Sequence, residues 1–140
     1  MRISKDEYYL KIAETVAVRS TCLKRRYGAV IVSDDRIIAT GYNGSPRNEK
    51  NCCDVGKCYR ENHMEPIDVS AAAHGAQYGT CVAVHAEQNA LIAAPGDRLR
   101  GASLYLACLD PNIKVTPCNI CNRMLKNAGI KEVVTKEGVR

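Results

Sequence analysis

The chain contains no tryptophan and no phenylalanine, and its only large aromatic side chains are seven tyrosines among 140 residues. Any core it builds must therefore be aliphatic. It also lacks a long apolar run near its start, since Met1 to Arg19 carries Arg2, Lys5, Asp6, Glu7, Lys11 and Glu14. That spread of charge excludes the apolar core of a secretory signal, and a cytoplasmic protein is expected. No internal repeat and no low-complexity tract is present, which excludes solenoids and collagen-like folds. Charge of one sign is only mildly in excess, at a net +5. Such a balance suits a small anionic ligand but falls short of the clustered basic face of a nucleic-acid binder, so neither a nucleic-acid polymer nor a membrane is expected as partner. With 46% apolar and 25% charged residues in 140, the expectation is a single globular domain spanning 1–140.

Cysteine, by contrast, is abundant: Cys22, Cys52, Cys53, Cys58, Cys81, Cys108, Cys118 and Cys121. The cytosol keeps thiols reduced, so metal binding becomes the leading explanation. Cys108 reads as a plain buried thiol, because cysteine also behaves as a small hydrophobe.

Along the chain, Tyr8, Tyr9, Ile12, Ala13, Val16 and Ala17 recur at helical spacing, predicting an amphipathic helix over Lys5 to Arg19 with Ser4 as N-cap. Ala29 to Val32 and Ile37 to Thr40 read as strands of a hairpin turned at Ser33-Asp34-Asp35-Arg36. Gly41 to about Thr80 has no sustained period, a length without regular structure that is often functional. Its cysteines, with Cys81 just beyond, and its two histidines could fasten it through a metal. A helix is predicted from His85 to Ala94, stopped by Pro95-Gly96, then a strand from Ser103 to Cys108. A helix from Cys118 to Ala128 closed by Gly129, and a strand from Glu132 to Thr135, complete the order. Strand-helix-strand units favour parallel neighbours, so the expected fold class is α/β, a mixed sheet with helices on both faces.

Two motifs carry the chemistry: His85-Ala86-Glu87 at one helix start and Pro117-Cys118-Asn119-Ile120-Cys121 at another. Cys118 and Cys121 are three apart on a helix and can face one point, where His85 supplies a third ligand. Three protein ligands and one open position is the pattern of a catalytic zinc. A bound zinc lowers the pKa of its water from near 16 to about 7, and Glu87 is then the candidate proton carrier. Alone, a His-X-Glu arises by chance, and a Cys-X-X-Cys serves equally as a redox pair or as half of a structural zinc site. In combination they have the form His-X-Glu and Pro-Cys-X-X-Cys of the zinc deaminases.

At these residues the chain resembles the cytidine and deoxycytidylate deaminase superfamily, and within it the dCMP deaminases. Gly28 to Val32, Thr40-Gly41-Tyr42-Asn43-Gly44-Ser45-Pro46, His85 to Leu91, Pro117 to Cys121 and Asn127 to Ile130 match in order and spacing. The resemblance implies a three-layer cytidine-deaminase-like fold. It implies hydrolysis of dCMP to dUMP and ammonia, supplying the precursor of dTMP. On that reading Glu87 moves the water proton to ring N3 and then to the departing amine.

The resemblance further implies that Asn43 contacts the deoxyribose, that Ser45 and Ala86 help hold the nucleotide, and that the assembly is a homo-oligomer, commonly a hexamer. It implies activation by dCTP and inhibition by dTTP at Gly41, Tyr42, Asn43 and Gly44. Gly41 and Gly44 also fit a tight turn that brings amides to a ligand, although Asn-Gly makes an ordinary turn as well. Arg26 and Arg47 are candidates for the phosphate, because guanidinium forks match its oxygens.

By the same resemblance, Cys22, Cys52, Cys58 and Cys81 stand where one branch of the family holds a second, structural zinc. Cys53 could replace Cys52, and His74 could replace Cys58 or Cys81. Unligated thiols are the alternative.

The sequence departs from the family in two places. Leu109 to Thr116 looks like an insertion beside the pocket and puts substrate choice in question. The family also continues further past the fourth strand, so a smaller sheet, or an edge covered by a partner subunit, is expected. Alternatives to dCMP are cytidine, dCTP or tRNA adenosine, and outside enzymes a zinc-stabilised binding module.

Overall fold

The computed structural model describes residues 1–58 and 81–140; His74, offered above as a substitute ligand, lies outside them. Helix α1 spans Lys5–Ala17, and Ser4 caps it by accepting the Glu7 amide at 3.1 Å. Strands β1 (Tyr27–Ser33) and β2 (Arg36–Tyr42) form the expected antiparallel hairpin. Its two turn residues, Asp34 and Asp35, have φ of 51° and 60°. Positive φ at both positions is the type I′ geometry that matches the twist of a hairpin. The Tyr9 hydroxyl holds this turn to α1, donating to Asp35 Oδ1 at 2.6 Å.

Beyond β2 a single helical turn, α2 (Cys52–Val55), stands inside the stretch expected to be irregular. Helix α3 (Ala86–Ala93) follows, with His85 as N-cap, then a 3₁₀ turn at Gly96–Arg98 and strand β3 (Ser103–Cys108). Helix α4 (Asn119–Ala128) has Cys118 as N-cap and Gly129 in the left-handed region as C-cap. Strands β4 (Glu132–Thr135) and β5 (Gly138–Val139) close the order. The short β5 was not expected: it pairs antiparallel with β4 and takes the sheet edge in its place.

The strand order is β2-β1-β3-β4-β5. β3 and β4 are parallel, as their crossover through α4 requires, whereas β1 is antiparallel to both its neighbours. The connection through α3 thus does not make β2 and β3 neighbours, because β1 lies between them. The continuous apolar run of β1 explains its place: all five inner residues are buried, while β2 keeps several exposed.

Alternation along the strands divides the interior in two. Ala29, Ile31, Leu104, Leu106 and Val133 pack beneath α3 and α4 with Ala86, Ala90 and Leu125. Val30, Val32, Tyr105, Ala107 and Val134 pack against Tyr9 and Ala13 of α1. Helices therefore cover both faces of a mixed sheet, as expected of a three-layer α/β fold. Both cores are aliphatic apart from Tyr9 and Tyr105, whose ring centroids are 5.0 Å apart. Among the described residues no helix is long and apolar enough to cross a membrane.

Candidate metal centre and its cavity

The site forms at the end of the sheet where β1 begins and where β2 and β3 finish. Both helices on that face start there, and their first turns carry the motif residues. His85 precedes the first turn of α3, and its amide is held by Gln88 Oε1 at 2.9 Å. Cys118 stands at the same position on α4, where its sulfur accepts the Cys121 amide at 3.4 Å. Nδ1 of His85 lies 3.2 Å from Cys121 Sγ and 3.6 Å from Cys118 Sγ. The three donor atoms lie within 4.8 Å of one another, the only such trio of His, Cys, Asp or Glu among the described residues. One imidazole nitrogen and two sulfurs at that separation fit a zinc ion with one position left open.

Glu87, two residues along, is 5% exposed. Burial pushes its carboxyl above the usual carboxylate range, opposed by the attraction of His85 and by a hydrogen bond with Cys121. Burial likewise drives the Cys121 thiol well up, reinforced by the Glu87 charge and by Cys118. A cation among these groups inverts that preference, because a coordinating thiol is deprotonated.

A cavity of about 310 Å³ opens on this cluster, lined by His85, Ala86, Glu87 and Cys118 on one side and by Tyr27 and Asn43 on another. That volume reaches the lower end of small-molecule sites. Burial raises the Tyr27 phenol to about 12, with Cys108 beside it adding to the effect, so it stays neutral.

Asn43 lines the cavity but is heavily engaged by the protein. Its Oδ1 accepts from the Ser20 hydroxyl at 2.5 Å and the Tyr27 amide at 2.9 Å, and its Nδ2 donates to the Arg25 carbonyl at 2.8 Å. One Nδ2 hydrogen is left for a ligand.

Neither Gly41 nor Gly44 adopts positive φ, and the backbones of both are engaged in packing or pairing. A Cβ on Gly41 would fall 2.4 Å from the Ala90 nitrogen and 2.5 Å from the Ala86 carbonyl oxygen. The residue is glycine so that β2 can lie against α3. Gly44 exchanges both backbone hydrogen bonds with Val84, at 3.2 and 2.7 Å. Tyr42 is half-buried, and its carbonyl accepts from Asn89 Nδ2 at 2.8 Å.

Ser45 is not on the wall of the large cavity. It lines a small neighbouring one of about 20 Å³, together with Cys22, Cys52, Cys58 and Cys81. Its hydroxyl and that of Thr21 are buried without a partner among the described residues. The four cysteines expected to share a metal do share this space, and burial followed by the charges of Cys22, Cys81 and Cys58 raises the Cys52 thiol. Cys22 Sγ accepts the amides of Lys24 and Arg25 at 3.5 and 3.4 Å. No three of these sulfurs, however, come within the spacing of the His85 cluster. Cys53 is exposed, and its Sγ donates to Asp54 Oδ1 at 3.9 Å.

Arg26 and Arg47 are exposed, and neither lines the large cavity. Among the described residues, the lysines and arginines on its wall are Lys24, Arg25 and Lys114. The run Lys24-Arg25-Arg26 announced them, but spacing alone did not say which of the three turns inward. Ile113, Lys114 and Thr116 also line the cavity, so the segment from Leu109 to Thr116 does stand beside the pocket.

The family model described as "Cytidine and deoxycytidylate deaminase zinc-binding region" matches residues 3–137. A deoxycytidylate deaminase of Schizosaccharomyces pombe is 42% identical over 133 residues, which are 95% of this chain and 37% of that protein. The chain thus spans little more than a third of the length of this relative. A deoxycytidylate deaminase of Mycobacterium phage D29 is 40% identical over 129 residues, 92% of this chain and 91% of its own. Among solved structures, the dCMP deaminase of cyanophage S-TIM5 in complex with dCMP and dUMP superposes with a TM-score of 0.63 at 26% identity, covering 96% of this chain and 82% of that one.

Proposed function

Because the chain belongs to the cytidine and deoxycytidylate deaminase family, we propose that it hydrolyses dCMP to dUMP and ammonia, with one zinc ion on His85, Cys118 and Cys121. The observation that carries this reading is the convergence of one imidazole nitrogen and two sulfurs, at 3.2 and 3.6 Å, beside a buried carboxyl on the wall of a 310 Å³ cavity. When bound, zinc supplies a water whose pKa falls from near 16 to about 7.

The chain's own residues do the rest. Glu87 accepts the proton of the attacking water and delivers it to ring N3 while an oxygen–carbon bond forms at C4. It then takes the proton of the new C4 hydroxyl and hands it to the exocyclic nitrogen, the C4–N bond breaks as the C4 carbonyl forms, and ammonia leaves. Its burial keeps bulk water from exchanging that proton, and the helix geometry of α3 fixes it two residues from His85. Asn43 offers its remaining Nδ2 hydrogen to the sugar, and Ala86 lines the cavity with a side chain too small to obstruct the ring.

A second, structural zinc on Cys22, Cys52, Cys58 and Cys81 belongs to the same reading. Their common cavity and the two amides aimed at Cys22 Sγ support it, and it requires the four sulfurs to draw closer together. Assembly as a homo-oligomer, with a hexamer favoured, is supported by exposed Ile92, Ile120 and Met124 on α3 and α4. Control by dCTP and dTTP at Gly41 to Gly44 has the least support, since Gly41 is packed on α3 and Gly44 is paired with Val84; a nucleotide titration without effect on rate removes it. A cytoplasmic location rests on the reduced thiols this chemistry needs.

Loss of cytosine absorbance on adding zinc-loaded protein to dCMP, with cytidine, dCTP and adenosine in parallel, tests the proposal. Preferential conversion of dCMP, absent in Glu87→Ala, is expected. Conversion of another compound keeps the chemistry and reassigns the substrate. Zinc bound with no turnover of any of them favours a binding module.

A further inference from the structure

Which residues recognise the substrate's phosphate is the question the cavity answers differently from the sequence. Three cations, Lys24, Arg25 and Lys114, line it, and all three are exposed. Among the described residues the only carboxylate on the same wall is Glu87, which is buried against the Cys121 thiol. An anionic group reaching outward from the cluster therefore meets positive charge and, among the described residues, no further carboxylate.

Lys114 is unusual among these because it stands on the segment from Leu109 to Thr116, which is held in place from both sides. Leu109 donates its amide to the Arg26 carbonyl at 2.9 Å, so the segment starts alongside the basic run. Asp110 closes a turn by accepting the Asn112 amide at 3.0 Å. Lys136 Nζ donates to the Pro111 carbonyl at 2.9 Å, and Glu137 Oε2 accepts the Val115 amide at 3.0 Å. Both clasps come from the turn between β4 and β5, and Val115 itself is 2% exposed. Lys114 is thus flanked by two fixed points, and its backbone is set before any ligand arrives. Pre-setting a cation in this way reduces the ordering cost of binding an anion.

We infer that Arg25 and Lys114 form the phosphate-recognising rim of this cavity, that Glu137 is a positioning residue that holds Lys114 there, and that the pair selects a nucleoside monophosphate over a nucleoside. The inference rests on the proposed deaminase reading for the identity of the ligand. It replaces Arg26 and Arg47 in that role.

The test compares dCMP with deoxycytidine, which differ only in the phosphate, on the zinc-loaded protein. In Arg25→Gln and Lys114→Gln the ratio of kcat/KM for dCMP to that for deoxycytidine falls about 10- to 100-fold each, the worth of a charge-assisted hydrogen bond. The loss appears in KM for dCMP more than in kcat. Glu137→Ala lowers the ratio in part, and Glu137→Gln, which keeps an acceptor oxygen for the Val115 amide, restores it. An unchanged ratio in Lys114→Gln, or an equal loss for both compounds, overturns the inference. So does a fall produced by Arg26→Gln or Arg47→Gln instead. Equilibrium dialysis of the same two compounds reads the preference without turnover, so a chain that deaminates neither refutes the proposed activity and still decides the subsite.

Discussion

Two groups of cysteines lie along the same cavity system, made of the same side chain, yet only one is drawn to the spacing of a metal site. His85, Cys118 and Cys121 sit within 4.8 Å of one another, whereas Cys22, Cys52, Cys58 and Cys81 merely share a small space. The difference lies in what holds each ligand. In the first group every member is tied to the opening turn of a full helix that packs on the sheet, so hydrogen bonds of the helix and burial of its apolar face fix the side chain together. In the second, Cys22 lies in the connection between α1 and β1, Cys52 starts a helix of a single turn, and Cys58 and Cys81 flank residues 59–80. A cluster built on packed elements is drawn together by the fold, whereas one built on connections is left more widely spaced.

The sharpest way to break this comparison is to remove one ligand from each group. Cys121→Ser should lose turnover to the background of the assay along with one zinc per chain, while Cys52→Ser should lose one zinc and keep measurable turnover. Metal content by mass spectrometry beside the dCMP assay reads both, and equal loss of activity in the two variants would erase the distinction. A wild-type content of one zinc per chain would leave the first group alone as a metal site.

Next in size, Glu87→Gln should retain the full metal content while kcat falls about 10²- to 10⁴-fold, the range of a general acid–base group. This separates proton transfer from ligation within the first group. A smaller effect should come from Gly41→Ala, whose new Cβ meets the α3 backbone at 2.4 Å. Overpacking of this kind costs about 1–3 kcal/mol, measurable by urea denaturation, and it displaces the helix that carries His85 and Glu87 without touching Cys22 or Cys52. The least effect is expected of Cys53→Ser, an exposed position, where zinc content should stay unchanged and stability within about 0.5 kcal/mol. Loss of a zinc there would move the ligand from Cys52 to Cys53.

Much of this was legible in the residues themselves. Helical spacing in Tyr9, Ala13 and Ala17, the buried run Ala29 to Val32, and capping residues at Ser4 and Gly129 gave the elements almost to their ends. His85 and Cys118 fell at helix starts because a break in apolar periodicity marks such a start. The small strand β5 escaped notice because two residues carry no period. A glycine needed for close packing against a helix, as Gly41 is, is indistinguishable in sequence from one needed for a turn.

The sequence by itself determined the set of residues that can hold a metal and move a proton, since a His-X-Glu, a Cys-X-X-Cys and the helices that start at them are local patterns. Only the tertiary structure decided which cations face the cavity. Arg25 and Arg26 are adjacent and chemically identical, and their division into wall and solvent follows from the direction in which the chain enters β1. The position of Lys114 likewise depends on Lys136 and Glu137 reaching back from the last hairpin. Contacts between segments so far apart in the chain leave no periodic trace in either one, because they are set by how the sheet brings the two together.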